Sequence, residues 1–164
     1  MLGVILLFVG SVLLVNGMGG LGRVDGRSMA VMNFMVGGLA LVATLLQIVR
    51  ASTVGDHLAV AQSLLFTFTY LYVAVSLWWE LDLRGFGWFC LFVAVTTVPC
   101  ALMTNQQGDA RFGTFWLVWG ALWFAFHLAY AHGRDFGRAL PYATIAVGIA
   151  TCWIPGLLLL TGRW

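Results

Sequence analysis

Six long apolar runs dominate the sequence, and short polar segments separate them. The runs cover Leu2–Met18, Met29–Val49, Leu58–Trp78, Phe86–Met103, Phe112–Ala131 and Leu140–Leu160. Each run is close to the length of about 20 residues that a helix needs to cross the hydrocarbon core of a membrane. Apolar and polar residues do not alternate at a recurring ten-residue interval, so the pattern does not favour a transmembrane barrel. It predicts an all-α membrane protein in which residues 1–164 form a single six-transmembrane-helix bundle.

The composition agrees with a membrane protein and excludes several other classes. Hydrophobic residues make up 62% of the 164 positions, charged residues make up only 9%, and the mean hydropathy is +0.96. Soluble domains have roughly 45–50% apolar and about 25% charged residues, which argues against a soluble enzyme or a disordered regulator. All eight basic residues are arginine, and the net charge of +2 is too small and too dispersed for binding nucleic acid.

The positions of the arginines predict the orientation of the bundle, because the cytoplasmic loops of membrane proteins are enriched in basic residues. With both termini outside, the inner connectors hold five arginines and the outer segments hold three. The inner five are Arg23, Arg27, Arg84, Arg134 and Arg138, and the outer three are Arg50, Arg111 and Arg163. We therefore expect a multi-pass protein with its N- and C-termini outside.

The sequence contains none of the common catalytic motifs. Gly17–Gly22 matches the G-x-G-x-x-G pattern of dinucleotide-binding proteins, but it ends a membrane helix instead of joining a strand to a helix. We interpret this segment as a helix C-cap and turn. Cys90, Cys100 and Cys152 all fall inside predicted helices and form no C-x-x-C pair, so we expect small buried side chains. We accordingly predict no enzymatic activity, no cofactor and no bound metal.

Two histidines lie at the end of the fifth run. His127 is inside the run, and His132 comes directly after it. Their separation of five residues places them on different helix faces, which argues against a shared metal or haem site. A histidine that is hydrogen-bonded between helices is the other interpretation of His127. A membrane enzyme or cofactor-binding bundle that uses both histidines is one alternative function, and a non-transporting assembly subunit is another.

Three predicted helices carry distinctive side chains on one face, at the three- and four-residue spacing of a helix. The first has Leu2, Val9, Leu13 and Asn16, the third has Gln62, Phe66, Tyr70, Val73 and Leu77, and the fifth has Phe112, Trp116, Trp119 and Trp123 with Leu122 beside them. Trp119 and Trp123 should lie near the middle of the membrane, where an indole N–H needs a partner. Lipid contact or core packing would explain an aromatic stripe, but these two tryptophans favour contact with a polar solute or another helix.

Such a lining suits a small neutral planar molecule. Ions need rings of carbonyl groups or charged side chains to replace their hydration shells, and no such ring is evident in the sequence. Aromatic walls can pack against the flat faces of a planar solute, while Asn, Gln, Thr, Tyr and indole groups hydrogen-bond to its edges. Urea and simple amides meet this description, although composition does not separate them from other small neutral solutes.

Several segments in combination resemble the AmiS/UreI family of urea and short-chain amide channels. They are Met1–Gly17, Ala30–Gly38, Phe68–Tyr72, Trp116–Trp123 and Trp153–Pro155, and the similarity runs from the first residue to the last. The resemblance implies a protomer of three helical hairpins around its own pore, in the bacterial cytoplasmic membrane, with six protomers in a ring. The resemblance also implies that the pore is lined by Leu2, Val9, Leu13, Phe66, Tyr70, Trp116, Trp119, Leu122 and Trp123. Asn16 lies on the same face of the first helix as Leu2, Val9 and Leu13.

The first helix also offers a surface for close helix packing. Gly3, Gly10 and Gly17 recur seven residues apart and form a smooth stripe. The stripe indicates only that another helix can approach closely. The hexamer itself is implied by the resemblance alone.

Two departures from the acid-gated member of the family bear on regulation. That member has a glutamate in its last helix where this sequence has Val147, and its outer loops are long and contain several histidines and carboxylates. Here the outer connectors cover only about Arg50–His57 and Thr104–Arg111, and they contain one histidine, His57. The resemblance implies a passive channel for urea, for short-chain aliphatic amides such as acetamide, or for both, and the departures predict that it is not acid-gated. Its expected partners are the permeant, membrane lipid and further copies of the chain.

Overall fold

The computed structural model describes all 164 residues, and every regular element in it is helical. The helices are α1 (Leu2–Gly20), α2 (Gly26–Arg50), α3 (Val54–Trp78), α4 (Arg84–Gln106), α5 (Ala110–His132), α6 (Ala139–Val147) and α7 (Ile154–Leu160). A π-helical segment, Gly148–Trp153, joins α6 to α7, and together they make the sixth span, Ala139–Leu160. All six spans are long and apolar enough to cross a membrane, which confirms the predicted six-helix bundle.

The helices extend past the apolar runs because polar residues outside those runs cap them. The side chains of Asp25 and Asp109 accept hydrogen bonds from the backbone N–H groups of Ser28 (2.9 Å) and Phe112 (3.0 Å). Thr53 forms a capping box at the start of α3. Such side chains satisfy N–H groups that have no partner within the helix. Hydropathy alone therefore placed the first residues of these three helices too late.

The glycine-rich segment Gly17–Gly22 ends α1, in agreement with its interpretation as a helix terminus. The backbone N–H of Leu21 donates to the carbonyl of Gly17 at 3.1 Å. Gly22 has a φ of +74°, in the left-handed region that glycine adopts without a steric penalty. The segment thus makes the turn between α1 and α2.

The spans pack as three antiparallel pairs, and in each pair a glycine allows the two helices to approach closely. The pairs are α2 with α3, α4 with α5, and α1 with the sixth span, so the third pair joins the two ends of the chain. The close approaches are Gly37 against Leu71, Gly87 against Ala131, and Gly10 against Trp153. Small residues at these points let the helix backbones come close in a membrane, where packing rather than the hydrophobic effect drives helix association.

The glycine stripe of α1 is used within the protomer. Gly3 lies against Leu159, Gly10 against Trp153, and Gly17 against Ile145, all of them residues of the sixth span. Because the sixth span covers the stripe, a neighbouring copy has no access to it. The stripe consequently gives no support to an oligomer.

The π-helical segment has a local cause in Pro155. Proline has no backbone N–H, and its ring clashes with the carbonyl of the residue four positions earlier in a regular α-helix. The helix is wider before Pro155, because the N–H of Ile154 donates to the carbonyl of Ile149, five residues earlier instead of four. π turns of this kind often occur at functional sites. Here the segment places Thr151 and Cys152 in the interior of the bundle.

Candidate functional site

A cavity of about 220 Å³ lies inside the bundle, between α1, α3, α5 and the sixth span. Eight residues of the sequence-predicted lining surround it: Val9, Leu13, Asn16, Phe66, Tyr70, Trp119, Leu122 and Trp123. The predicted residues come together because α1, α3 and α5 each turn one stripe toward the cavity. The stripes found by helical spacing are thus brought together in space.

Two of the predicted residues lie outside this cavity. Leu2 is exposed at the first turn of α1. Trp116 is buried and packs behind the wall, with its ring centroid 5.8 Å from Phe66 and 5.3 Å from Trp119. Helical spacing put both residues on the correct face, but the cavity does not extend to their level near the termini.

Phe66 closes the cavity on the side that carries the two chain ends. Its ring is perpendicular to Trp119, with an interplanar angle of 88° and centroids 5.1 Å apart. It also meets Trp123 edge-on at 5.1 Å, and Trp116 at 5.8 Å. Edge-to-face contacts at these distances are favourable, and each contributes about 0.5–1.5 kcal/mol beyond burial. We call Phe66, Trp116, Trp119 and Trp123 the aromatic cluster.

The polar atoms of the wall fall into two groups. Some are already bonded within the protein: the Trp119 Nε1–H donates to Thr151 Oγ1 at 2.8 Å, and the Thr69 hydroxyl donates to the Leu65 carbonyl at 2.7 Å. The Tyr70 hydroxyl and the Trp123 indole N–H have no hydrogen-bond partner in the protein and remain available to a solute. The cavity therefore presents apolar aromatic surface with a few separate hydrogen-bonding groups.

No charged side chain lines the cavity. Moving an ion into such a site would strip its hydration shell without replacing it by carboxylates, guanidinium groups or a carbonyl ring. A neutral solute has no such barrier. The lining thus favours a neutral solute over an ion.

The other end of the cavity approaches a polar surface depression. Leu77 and Leu83 line both the cavity and the depression, which also contains Asp25, Arg27 and Glu80. Hydrogen bonds from Ser28 lower the pKa of Asp25 below its ordinary value of 3.8, so this carboxylate is ionised at neutral pH. The two features together indicate a route from the aromatic cluster to the face opposite the termini.

Several wall residues were not predicted as site residues from the sequence. They include Thr69, Leu83, Phe86, Phe126, Tyr130, Pro141, Thr144 and Cys152. Phe126 and Tyr130 continue the stripe of α5 at three- and four-residue steps beyond Trp123, so the same spacing could have found them. No comparable signal marks the residues of α4 and the sixth span, because their placement depends on how these spans pack.

His127 and His132 meet, contrary to the expectation from their spacing. Their Nε2 atoms are 3.2 Å apart, and His127 Nδ1 is 3.0 Å from the Gly87 carbonyl. His132 is the last residue of α5, so its side chain reaches back along the final turn to His127. A carbonyl only accepts, so Nδ1 of His127 is the donor to the Gly87 carbonyl. His127 is a histidine bonded between helices, and no group of three or more potential metal ligands forms here or elsewhere in the chain.

The sequence profile of the AmiS/UreI family transporters matches residues 1–163. The chain belongs to this family. An acid-activated urea channel of Helicobacter pylori is 37% identical, over an alignment of 195 positions that covers all of both chains. The 164-residue chain is shorter than this alignment, so the relative carries segments that the chain lacks.

One further relative and one solved structure extend the comparison. A putative amidate substrates transporter protein of Mycolicibacterium smegmatis is 36% identical over 165 positions, covering 99% of this chain and 78% of the relative. The cryoEM structure of the Helicobacter pylori urea channel in its closed state superposes with a TM-score of 0.92, at 38% identity and with full coverage of both chains. The relatives and the structural neighbour are named as channels and transporters, and the structural neighbour shares the helical bundle described above.

Proposed function

We propose that this protein is a passive channel for urea, short-chain aliphatic amides, or both. The observation that carries the proposal is the uncharged, aromatic-walled cavity within one protomer, which lies between the aromatic cluster and the polar depression on the face opposite the termini. Relatives named as a urea channel and as an amidate transporter support the same permeants. The pore positions are the cavity residues, with Leu2 and Trp116 at the approach from the terminal side.

The cavity suits a planar neutral amide for physical reasons. The flat faces of the solute pack against the rings of Phe66, Trp119 and Trp123, while Tyr70 and the Trp123 N–H can hydrogen-bond to its edges. Urea and acetamide carry both N–H donors and a carbonyl acceptor, so a few separate polar groups suffice. No chemical step is needed, and a gradient of the permeant drives transport.

We further propose that the channel is not acid-gated. The connectors at the terminal face are short: α2 ends at Arg50 and α3 begins at Val54, and only Gln107–Asp109 separates α4 from α5. His57 Nδ1 is 2.7 Å from the Thr53 carbonyl, so the histidine is held by its own helix. These connectors are too short to fold over a pore entrance.

The membrane setting is also part of the proposal. We place the protein in the bacterial cytoplasmic membrane with both termini outside, on the basis of the arginine distribution. Large apolar side chains such as Val42, Phe92 and Leu102 are exposed on the protomer and suit contact with lipid or with other copies. We propose a hexamer by resemblance to the family, and native mass spectrometry in nanodiscs tests it. A monomeric mass in nanodiscs and in mild detergent would contradict the ring.

Flux into proteoliposomes tests the function. Purified protein is reconstituted, and urea and acetamide permeability is followed by light scattering after rapid mixing. We expect both permeabilities to rise well above those of protein-free vesicles, while permeability to sodium and chloride does not. If urea and amide permeability remain at the lipid background, the channel proposal is wrong.

A further inference from the structure

Asn16 and Asn33 form a reciprocal amide pair at the edge of the cavity. The Nδ2 of Asn33 donates to Oδ1 of Asn16 at 2.6 Å, and the Nδ2 of Asn16 donates to Oδ1 of Asn33 at 3.2 Å. Asn16 lines the cavity, whereas Asn33 belongs to α2 and is completely buried. The pair thus joins one residue that a solute can reach to one that it cannot.

A third hydrogen bond fixes the orientation of both amides. The Nδ2 of Asn33 also donates to the backbone carbonyl of Met29 at 2.9 Å. A backbone carbonyl only accepts, so a flipped Asn33 would set two oxygens against each other. Both N–H groups of Asn33 are therefore used, and Asn16 must present its oxygen to Asn33 Nδ2.

The arrangement leaves half of the Asn16 amide free. An asparagine side chain has two N–H donors and an oxygen with two acceptor sites. One donor and one acceptor site of Asn16 are engaged by Asn33. One N–H, which suits a carbonyl oxygen, and one acceptor site, which suits an N–H group, remain for a solute in the cavity.

We infer that Asn16 is a specificity-determining residue for permeants that carry an amide group, and that Asn33 is the positioning residue that holds it. This inference rests on the proposed channel function and deepens it. A solute with both a carbonyl oxygen and N–H groups can use either free site of Asn16 as it passes. A diol of similar size lacks the planar amide edge, so its hydrogen bonding depends less on a fixed orientation of the Asn16 amide. Without Asn33, the Asn16 amide can rotate, and the discrimination between the two solutes falls.

The test compares two solutes of similar size in the same proteoliposomes, acetamide and ethylene glycol. The readout is the ratio of their protein-dependent permeabilities, which does not depend on how much active protein each preparation contains. We expect Asn33→Ala and Asn16→Leu each to lower this ratio about two- to tenfold, the range that a single hydrogen bond gives. Thr44→Val is the matched control, because Thr44 is also buried on α2 and bonded to the Ala40 carbonyl but does not line the cavity. Its ratio should equal that of the wild type.

A double variant separates positioning from a structural role. If Asn33 acts through Asn16, then Asn16→Leu combined with Asn33→Leu lowers the ratio no further than Asn16→Leu alone. This double variant removes both amides together and leaves no buried polar group unpaired, so it keeps the test available should Asn33→Ala fail to fold.

The outcomes distinguish this inference from the proposed function. Wild-type protein that passes neither acetamide nor urea overturns both. Wild-type protein that passes acetamide, with an unchanged ratio in the Asn16 and Asn33 variants, overturns the inference and leaves the channel intact. A ratio that falls equally in Thr44→Val shows a general packing effect and also overturns it.

Discussion

The indole Nε1–H of Trp119 donates a hydrogen bond of 2.8 Å to the hydroxyl of Thr151, which links α5 to the π-helical segment of the sixth span. Thr151 in turn donates to the carbonyl of Val147 at 2.7 Å. Both side chains are buried, so the bond satisfies an indole N–H that has no access to water in the membrane. It also fixes the ring of Trp119 against Phe66 and so sets one wall of the aromatic cluster.

The first prediction concerns this bond. Trp119→Phe and Thr151→Val each remove one partner while keeping most of the side-chain volume. We expect each change to lower the free energy of unfolding by about 1 kcal/mol, a typical value for hydrogen bonds between membrane helices. Thermal unfolding in detergent measures the effect. The two changes combined should cost less than the sum of the single changes, and full additivity would show that the bond contributes nothing.

The second prediction concerns the ring that closes the cavity. Phe66→Ala removes the side chain that contacts all three tryptophans of the aromatic cluster. We expect faster urea flux and entry of amides larger than acetamide, because the narrowest part of the path widens without gaining charge. Stopped-flow measurements with a series from formamide to butyramide give the size limit. An unchanged limit would place the constriction elsewhere.

The third prediction separates pore lining from core packing among the tryptophans. Trp119→Ala and Trp123→Ala should each alter flux or selectivity while leaving membrane insertion intact, because each removes part of the cavity wall. Protein levels in membranes are matched by immunoblot before flux is compared. Equal flux in both variants and the wild type would assign these rings to packing alone.

The fourth prediction concerns helix packing at Gly10. A Cβ atom added there would lie 2.8–2.9 Å from the backbone of Trp153, closer than real Cβ contacts allow. We expect Gly10→Ala to destabilise the protein by about 1–3 kcal/mol, the usual range for overpacking. Gly38→Ala is the control, since a Cβ at that helical position meets nothing within 4 Å. Melting curves in detergent should show a lower midpoint for the first variant only.

The fifth prediction concerns pH. We expect urea or amide flux to be nearly constant between external pH of about 5 and 7.5, because histidine is the side chain that ordinarily titrates there and His57 is the only one on the terminal face. On the opposite face, the pKa values of Asp25 and Asp82 lie below 3.8, lowered chiefly by hydrogen bonds from Ser28 and Arg84. A carboxylate with a lowered pKa stabilises the fold above its ordinary value, and this contribution is lost only as the pH falls through the lowered pKa. Both carboxylates therefore stay ionised at the fixed inside pH and add no dependence on the outside pH.

Flux at a fixed inside pH and a varied outside pH checks this prediction. His57→Ala is the variant that identifies the group responsible for any change. A several-fold rise on acidification that His57→Ala abolishes would show that a single histidine suffices for gating. The argument from connector length would then fail.

The sequence by itself determined the six spans and the faces of α1, α3 and α5 that line the cavity. The length of an apolar run is a local property, and the thickness of the membrane converts it directly into a spanning helix. The stripes containing Val9, Phe66 and Trp123 are also local, because helical spacing places their members on one face. Once α1, α3 and α5 turn these faces inward, the part of the wall that they supply follows.

Only the tertiary structure decided which groups meet across helices. Trp119 hydrogen-bonds to Thr151 because the π turn before Pro155 places Thr151 in the interior of the bundle. Asn16 hydrogen-bonds to Asn33 because α1 packs beside α2. The alignment of the two helices of a pair along the membrane normal is fixed where a glycine lets a residue of the other helix approach closely, as Gly10 does for Trp153. Periodicity specifies the face of a side chain but neither its depth in the membrane nor its partner. Those depend on contacts between residues that are distant in the chain.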